Sequence, residues 1–278
     1  MLNNSGSYHE NAGTGIAAVK NGTNSDFGSD LVFITRPQSA VAEERLRITS
    51  GGQIAVKNTS PKEWHTDYKS IQIYDAGYVA GSTDDSFVAI GANNYLDTGG
   101  TYDYCKSDFA SQLYQVDGQL IFRNAASGTA DNAITWSEKL RITSGGQVLI
   151  GTTDAGHPSA DDLTINNSGS GGITIRTGTT SNGAIFFADS TSGDARFDGF
   201  VQYNHGSSPY MMFGTAGDER VRITNGGNLK LPDNAKIELG GGQAGAGDLQ
   251  LYHTPSNSFI KNNTGTLNIQ SDTVRLTD

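Results

Sequence analysis

The chain has 278 residues, of which 35% are hydrophobic, and a formal net charge of −10. Leu, Ile, Val and Phe make up about 20% of it, near the compositional boundary of disorder. With 19 Lys and Arg against 29 Asp and Glu, the chain lacks the basic surface by which proteins neutralise nucleic-acid phosphates. Its longest apolar run is residues 184–188, too short for membrane insertion. Cys105, the single cysteine, cannot form an intrachain disulfide.

One segment occurs three times. Residues 44–54 read Glu-Arg-Leu-Arg-Ile-Thr-Ser-Gly-Gly-Gln-Ile, and close variants return at residues 138–148 and 219–229. The copies are too far apart, and too unequally spaced, for a solenoid with one short rung per repeat. We therefore interpret them as connections between variable inserts, and we call each copy with its two following residues a joint.

In chain order, the first predicted strand is residues 31–34, after a turn signal at 27–30. Residues 40–44 are the best candidate for a short helical turn. In the first joint, Leu46 and Ile48 alternate with Arg45 and Arg47, which predicts a strand with one buried and one solvent-facing side. Residues 50–53 then predict a tight turn, and the alternation resumes beyond it. Each joint is therefore predicted to be a β-hairpin.

Residues 57–118 contain seven of the chain's eleven tyrosines. Tyrosine combines a stacking face with a hydroxyl at low entropic cost, so such a cluster can form a recognition surface. The alternative is that the rings fill the core of a small insert. The candidate receptor-binding residues are Tyr68, Tyr74, Tyr78, Tyr95, Tyr102 and Tyr104.

Short strands continue to the C-terminus. Strands are predicted at 120–122 before the second joint, in a small meander that includes 171–176, 183–187 and 197–203, and at 210–213 before the third joint; the tail adds 236–239, 249–252, 259–261, 267–270 and 274–276. The fold class is therefore all-β. We expect four modules: an N-terminal module with the first joint (1–56), a tyrosine-rich insert with the second (57–150), a meander with the third (151–231) and C-terminal repeats (232–278).

The second joint carries a family resemblance. Residues 146–153 read Gly-Gln-Val-Leu-Ile-Gly-Thr-Thr, and with the preceding Glu-Lys-Leu-Arg-Ile they resemble a repeat of bacteriophage tail-fibre proteins, especially those of marine and cyanobacterial phages. Residues 162–176, 247–253 and 256–261 also resemble modules of such fibres. Residues 57–118 carry no part of the resemblance. The first joint departs from it, since Ala-Val-Lys-Asn at 55–58 stands where Ile-Gly-Thr-Thr is expected.

The resemblance implies an elongated homotrimeric fibre of short antiparallel β modules, exposed outside the virion. Its expected partners are other copies of the chain, tail or baseplate proteins, and a glycan or protein receptor on the host. Composition agrees with a trimer, because a chain so poor in aliphatic residues gains apolar burial around a shared axis. The expected trimer-core residues are Leu46, Ile48, Ile54, Val56, Leu140, Ile142, Val148, Ile150, Val221, Ile223, Leu229 and Leu231. The alternative is that each hairpin packs on its own insert.

No pattern indicates an enzyme, a cofactor or a metal site. The five histidines are scattered, without the spacing of metal ligands. The alternative functions are a purely structural head or baseplate fibre and an appendage that degrades polysaccharide. Glycan cleavage would need two facing carboxylates, for which the insert aspartates are Asp84, Asp85, Asp161, Asp162, Asp194 and Asp198. Carboxylates in Gly- and Ser-rich loops more often form turns, so we expect no catalytic activity.

Overall fold

The computed structural model describes residues 13–21, 27–38, 40–83, 85–241 and 246–270. Within them the chain forms 22 β-strands and one short 3-10 helix, which confirms the all-β fold class. In the described part of the chain, no helix has the length and apolar character needed to cross a bilayer. The chain divides into two compact units, Met1–Gly172 and Ile173–Asp278.

A twelve-stranded sheet forms the first unit. Its strands, in spatial order, are β1 (Gly15–Lys20), β2 (Ser29–Thr35), β3 (Glu43–Ile48), β4 (Ile54–Val56), β5 (Tyr68–Ile73), β6 (Gly77–Ser82), β7 (Val88–Ala92), β10 (Ala110–Val116), β11 (Gln119–Ala125), β12 (Ser137–Ile142), β13 (Val148–Ile150) and β14 (Leu163–Ile165). Two strands, β8 (Asn94–Leu96) and β9 (Tyr102–Tyr104), form a separate hairpin. Neighbours in the large sheet therefore follow chain order except where this hairpin intervenes.

The first two joints occupy equivalent places in this sheet. In each, an antiparallel hairpin follows a strand that pairs with its first arm: β2 precedes β3 and β4, and β11 precedes β12 and β13. The next strand then joins in parallel, β5 against β4 and β14 against β13. All other pairings in the sheet are antiparallel. Because β4 pairs with β5, and β13 with β14, the sheet continues across residues 56 and 150, where module boundaries were expected.

One face of this sheet is covered by the tyrosine-rich segment. The β8–β9 hairpin and the loop before β5 lie over it and form a core of Trp64, Tyr78, Ala80, Ala89, Tyr95 and Leu96. The ring of Tyr78 meets that of Trp64 edge-on at 4.5 Å. A smaller cluster of Tyr104, Ala110 and Ala125 packs with Trp136 beside it. The sheet and its cover thus enclose an aromatic rather than an aliphatic core.

The second unit contains two smaller sheets. The five-stranded sheet consists of β15 (Asn182–Phe187), β16 (Gly199–Asn204), β17 (Tyr210–Thr215), β18 (Asp218–Thr224) and β19 (Leu229–Lys230); the 3-10 helix Asp194–Phe197 precedes β16. The three-stranded sheet consists of β20 (Lys236–Leu239), β21 (Leu249–His253) and β22 (Ser258–Asn262). The third joint is the β18–β19 hairpin, which follows β17 as the other joints follow β2 and β11.

Several sequence predictions need correction. Residues 40–44 form no helical turn, because 43 and 44 already belong to β3. Residues 171–176 and 267–270 form no strand. Residues 274–276 lie outside the described residues. In all three joints, by contrast, the hairpin is confirmed.

Candidate functional site

The three joints share one turn. In the first, the Thr49 amide donates to the Gln53 carbonyl (2.8 Å) and the Gly52 amide donates to the Thr49 carbonyl (2.9 Å). The Thr49 hydroxyl also accepts from the Gln53 amide at 3.0 Å. The same three bonds recur in the turns that begin at Thr143 and Thr224. The second glycine has positive φ each time, 80° at Gly52, as required where a hairpin turn ends in the left-handed region.

Each joint also contains a β-bulge. Phe33 pairs with Leu46 but Ile34 pairs with Glu44, so Arg45 is an extra residue without a partner. Lys139 and Arg220 occupy the same place in the other joints. Residues three apart normally face opposite sides of a strand, and the extra residue returns them to the same side. The bulge is therefore what brings the repeated Glu and Arg together.

These pairs form bidentate ion pairs, which we call Glu–Arg clasps. Arg47 donates through Nε and Nη2 to the two carboxylate oxygens of Glu44 at 2.8 and 2.7 Å. Arg141 holds Glu138 in the same way at 2.8 and 2.6 Å, and Arg222 holds Glu219 through the same two nitrogens. Two parallel charge-assisted bonds fix orientation as well as adding energy. The clasp thus sets the geometry of the joint wherever the motif recurs.

A third group completes each clasp and differs between the joints. Arg47 Nη1 donates to Asp30 Oδ2 at 2.6 Å, and Arg141 Nη1 donates to Gln119 Oε1 at 2.6 Å. In the third joint, the guanidinium of Arg222 lies 3.8 Å from the Tyr210 ring centroid. The hydrogen bonds of Arg47 to Glu44, followed by those to Asp30, raise its pKa above its ordinary value. The first clasp is the most highly charged of the three.

One side of the joint strands differs from the prediction. Arg47 was expected to face solvent, but its side chain is only 13% exposed, and Ala55 beside it is fully buried. Ile48, expected to face the trimer axis, is 36% exposed in the single chain. The alternation was correct, but the chain covers the side that carries the clasp. It leaves the aliphatic side open.

The open side carries a continuous apolar row, which we call the apolar ladder. Each member is the cross-strand partner of the next, from β1 at one edge to β14 at the other. The twelve members are Ala18, Leu31, Ile48, Ile54, Ile71, Val79, Ile90, Leu113, Phe122, Leu140, Ile150 and Ile165. No polar residue interrupts it. Eight members have exposures between 36% and 57%, and the chain's described residues bury none of the twelve.

The twelve predicted trimer-core residues all remain accessible. Eight belong to the first two joints and lie on the ladder side of the sheet, while the third joint supplies Val221, Ile223, Leu229 and Leu231. Those classed as exposed are Ile48, Val56, Ile150, Ile223 and Leu229, and the other seven are partly exposed. Within the described residues, the insert covers the opposite side of the sheet. The chain's own hairpins therefore do not pack their aliphatic side on that insert.

The sheets of the second unit also carry exposed apolar rows. On the five-stranded sheet, Ile185, Val201, Phe213 and Val221 form one cross-strand row, and Ile185 is 52% exposed. On the three-stranded sheet, Ile237, Leu251 and Ile260 form another, with exposures of 41%, 36% and 65%. Each sheet therefore presents an aliphatic row to its surroundings.

The predicted receptor-binding tyrosines separate into two groups. Tyr78, Tyr95 and Tyr104 are 2%, 9% and 5% exposed and belong to the cover's core. Burial raises the pKa of both Tyr78 and Tyr95 above the ordinary range of a phenol. These three cannot touch a receptor in this conformation, which agrees with the alternative that rings fill the insert. Tyr68 and Tyr102 are half-buried, and Tyr74 is 54% exposed, so these three remain candidates.

Three aromatic rings surround the side chain of Arg123. The Arg123 guanidinium lies 4.8, 4.7 and 4.4 Å from the ring centroids of Tyr102, Tyr114 and Trp136, and its Nε donates to Gln112 at 2.7 Å. Desolvation by burial lowers its pKa. Arg123 occupies the position facing Glu138 that Ile34 occupies opposite Glu44. In the second joint, the residue at this position thus packs against aromatic rings of the insert.

The described residues also include one free thiol and most of the loop carboxylates. Burial raises the pKa of the Cys105 thiol to about 11, which leaves it protonated at neutral pH and a poor nucleophile. No group of three His, Cys, Asp or Glu side chains is placed to hold a metal ion in that part of the chain. Of the loop aspartates, Asp84 lies outside the described residues.

These features were only partly predictable from the sequence. The Glu-x-x-Arg spacing recurs in all three joints, but residues three apart face opposite sides of a regular strand. The two side chains can form a clasp only because the bulge turns them to the same side. The ladder members outside the joints, such as Ile71 and Ile90, could not be predicted without knowing which strands pair across long loops and in which register. Comparison with protein-family models and with curated proteins finds no match to this chain.

Proposed function

We propose that this chain is a structural and adhesive subunit of a phage tail fibre, assembled as a homotrimer and without catalytic activity. The apolar ladder is the single observation that carries the proposal. The resemblance of residues 146–153 to tail-fibre repeats supplies the biological setting, in which the fibre extends outside the particle and attaches to a tail or baseplate protein.

The ladder is difficult to reconcile with an isolated chain. Native proteins rarely leave long contiguous aliphatic rows in water, while polar groups are usually the exposed ones. Here the covered side of the sheet holds polar residues such as Gln72 and Gln112, at 5% and 1% exposure, while Ile71 and Leu113 beside them are 41% and 39% exposed. This inversion is expected where another surface covers the aliphatic side.

A second copy of this chain fits the ladder better than an unrelated partner. With about 4.8 Å between strands, twelve strands give a row about 50 Å long in which no member carries a charge. Such an uncharged row can pack against another of the same kind, and closed rotational symmetry brings identical rows together around an axis. Burying the remaining exposure of the eight most exposed members contributes about 5–10 kcal/mol per copy, enough to drive assembly.

The adhesive role is assigned to the side of the sheet opposite the ladder, which carries the tyrosine-rich cover. If the ladders meet at the axis, the tyrosine-rich cover of each copy lies on the outside of the fibre. Its half-buried rings, Tyr68 and Tyr102, are then accessible to a glycan or protein on the host surface. Loops and hairpins on a rigid scaffold are where binding residues usually lie.

The mass of the full chain in solution tests the assembly. Light scattering should give about 88 kDa, three times the 29.3 kDa of one chain. A mass of 29.3 kDa would refute it. For adhesion, the purified trimer should compete with phage for host cells and reduce adsorption, whereas a trimer that leaves adsorption unchanged would refute the adhesive role alone.

A further inference from the structure

A groove of about 380 Å³ opens beside the tyrosine-rich cover, where β5 and β6 meet the β8–β9 hairpin. It is lined by His65, Asp67, Tyr68, Ser82, Asp85, Leu96, Gly100 and Tyr102. Its volume lies within the range of small-molecule sites. Rings, carboxylates and an imidazole thus line the same opening.

Both tyrosine rings of the groove pack against other side chains of the cover and sheet. Phe87 meets the Tyr68 ring edge-on at 5.4 Å between centroids. Trp136 meets the Tyr102 ring in the same way at 6.0 Å, and Arg123 lies over its face at 4.8 Å. Rings that are fixed before binding lose little entropy when a ligand packs on them. The groove therefore offers two preorganised apolar surfaces.

The polar groups of the groove are two carboxylates, an imidazole and the hydroxyls of Ser82 and the two tyrosines. His65 and Asp67 lie 3.3 Å apart between Nδ1 and Oδ2, with side chains 30% and 45% exposed. Asp85 is exposed at the rim. The described lining residues include no lysine or arginine. Carboxylates accept hydrogen bonds strongly from hydroxyl and amine groups, whereas an anionic ligand would meet like charge.

We propose that this groove binds a saccharide ring that is neutral or carries an amine, and not one that carries a carboxylate or sulfate. The C–H face of the ring packs on Tyr68 and Tyr102, while its hydroxyls donate to Asp67 and Asp85. The inference rests on the adhesive function proposed above and names the ligand class of that surface. It gives the two half-buried tyrosines one shared role.

Saturation-transfer NMR on the full chain tests the groove with a panel of hexoses, 6-deoxyhexoses, N-acetylhexosamines and glucosamine, with D-glucuronate as the acidic comparison. At least one non-acidic sugar should bind, and more tightly than D-glucuronate. Asp67→Asn and Asp85→Asn should each weaken binding about tenfold, since each removes a charged acceptor. Asp117→Asn, in the β10–β11 turn away from the groove, should bind like the unmodified chain.

A second pair of variants separates loss of contact from loss of fold. Tyr68→Phe keeps the ring and should retain affinity within about threefold, whereas Tyr68→Ala should abolish binding; melting curves verify that both fold. Binding by no sugar of the panel, equal binding of D-glucuronate, or Asp67 and Asp85 variants that match the control would overturn the proposal. The readout does not depend on oligomeric state, so a 29.3 kDa chain that still binds sugar would refute the trimer and keep the groove.

Discussion

Replacing Ile90 by aspartate should dissociate the trimer without unfolding the chain. Ile90 lies in the ladder between Val79 and Leu113, and it is 57% exposed in the single chain. The carboxylate would therefore remain hydrated in the monomer and cost little. In the assembly it would be enclosed among aliphatic side chains of neighbouring copies.

The magnitude follows from the exposure. Losing the burial of this side chain forfeits about 1–2 kcal/mol per copy, and withdrawing an unpaired carboxylate from water costs several kcal/mol more. For each copy the loss is roughly 4–6 kcal/mol, comparable with the lower end of the 5–10 kcal/mol gained per copy when its ladder is covered. At micromolar concentration the measured mass should fall from about 88 to 29.3 kDa.

Val41→Asp provides the matched control. Val41 is similarly exposed, at 54%, but lies in the loop before β3 and not on the ladder. Light scattering should show that this variant stays trimeric, and circular dichroism should show native β structure in both. If Ile90→Asp remains at the unmodified mass, or if Val41→Asp dissociates to the same extent, the ladder is not the assembly surface.

Three further predictions concern the joints and the cysteine. Arg47→Ala should lower the free energy of unfolding by about 3 kcal/mol, because it removes the cation that pairs with two buried carboxylates, whereas Arg45→Ala, at a partly exposed ion pair, should cost under about 1 kcal/mol; equal effects in urea denaturation would contradict the clasp. Gly52→Ala, at φ 80°, should destabilise by about 1–2 kcal/mol, and Gly51→Ala should not. Cys105 should react with a disulfide reagent tenfold faster per pH unit from 7 to 9, since its pKa is about 11; a plateau near pH 8.5 would refute this.

Local features of the fold were predictable from the sequence. The Thr-Ser-Gly-Gly-Gln turns and the alternation of Leu46, Ile48, Ile54 and Val56 gave the hairpins, because turn chemistry and period-two patterning act over a few residues. Which side of the large sheet the tyrosine-rich segment covers was not predictable. It depends on Trp64 and Tyr95, which lie outside the joints and pack on the clasp side of the sheet.

The tyrosine-rich segment shows why burial was the weakest prediction. Tyr78 and Tyr102 both belong to this segment, yet one is in the core and the other lines the groove. The segment was interpreted as a variable insert between two joints. It supplies β5, β6, β7 and β10 to the middle of the sheet, so its deletion would remove the scaffold together with the candidate binding surface.

The unbroken ladder restricts how this chain can change in length. A residue gained or lost inside a strand such as β5 would turn every later side chain of that strand to the other face, placing an aliphatic group under the aromatic cover and the amide of Gln72 on the ladder side. Loops tolerate such changes because the next strand can still begin with its side chains on the correct faces of the sheet. Variation between related chains should therefore concentrate in segments such as 97–101 and 126–136, while strand lengths stay constant or change in steps of two.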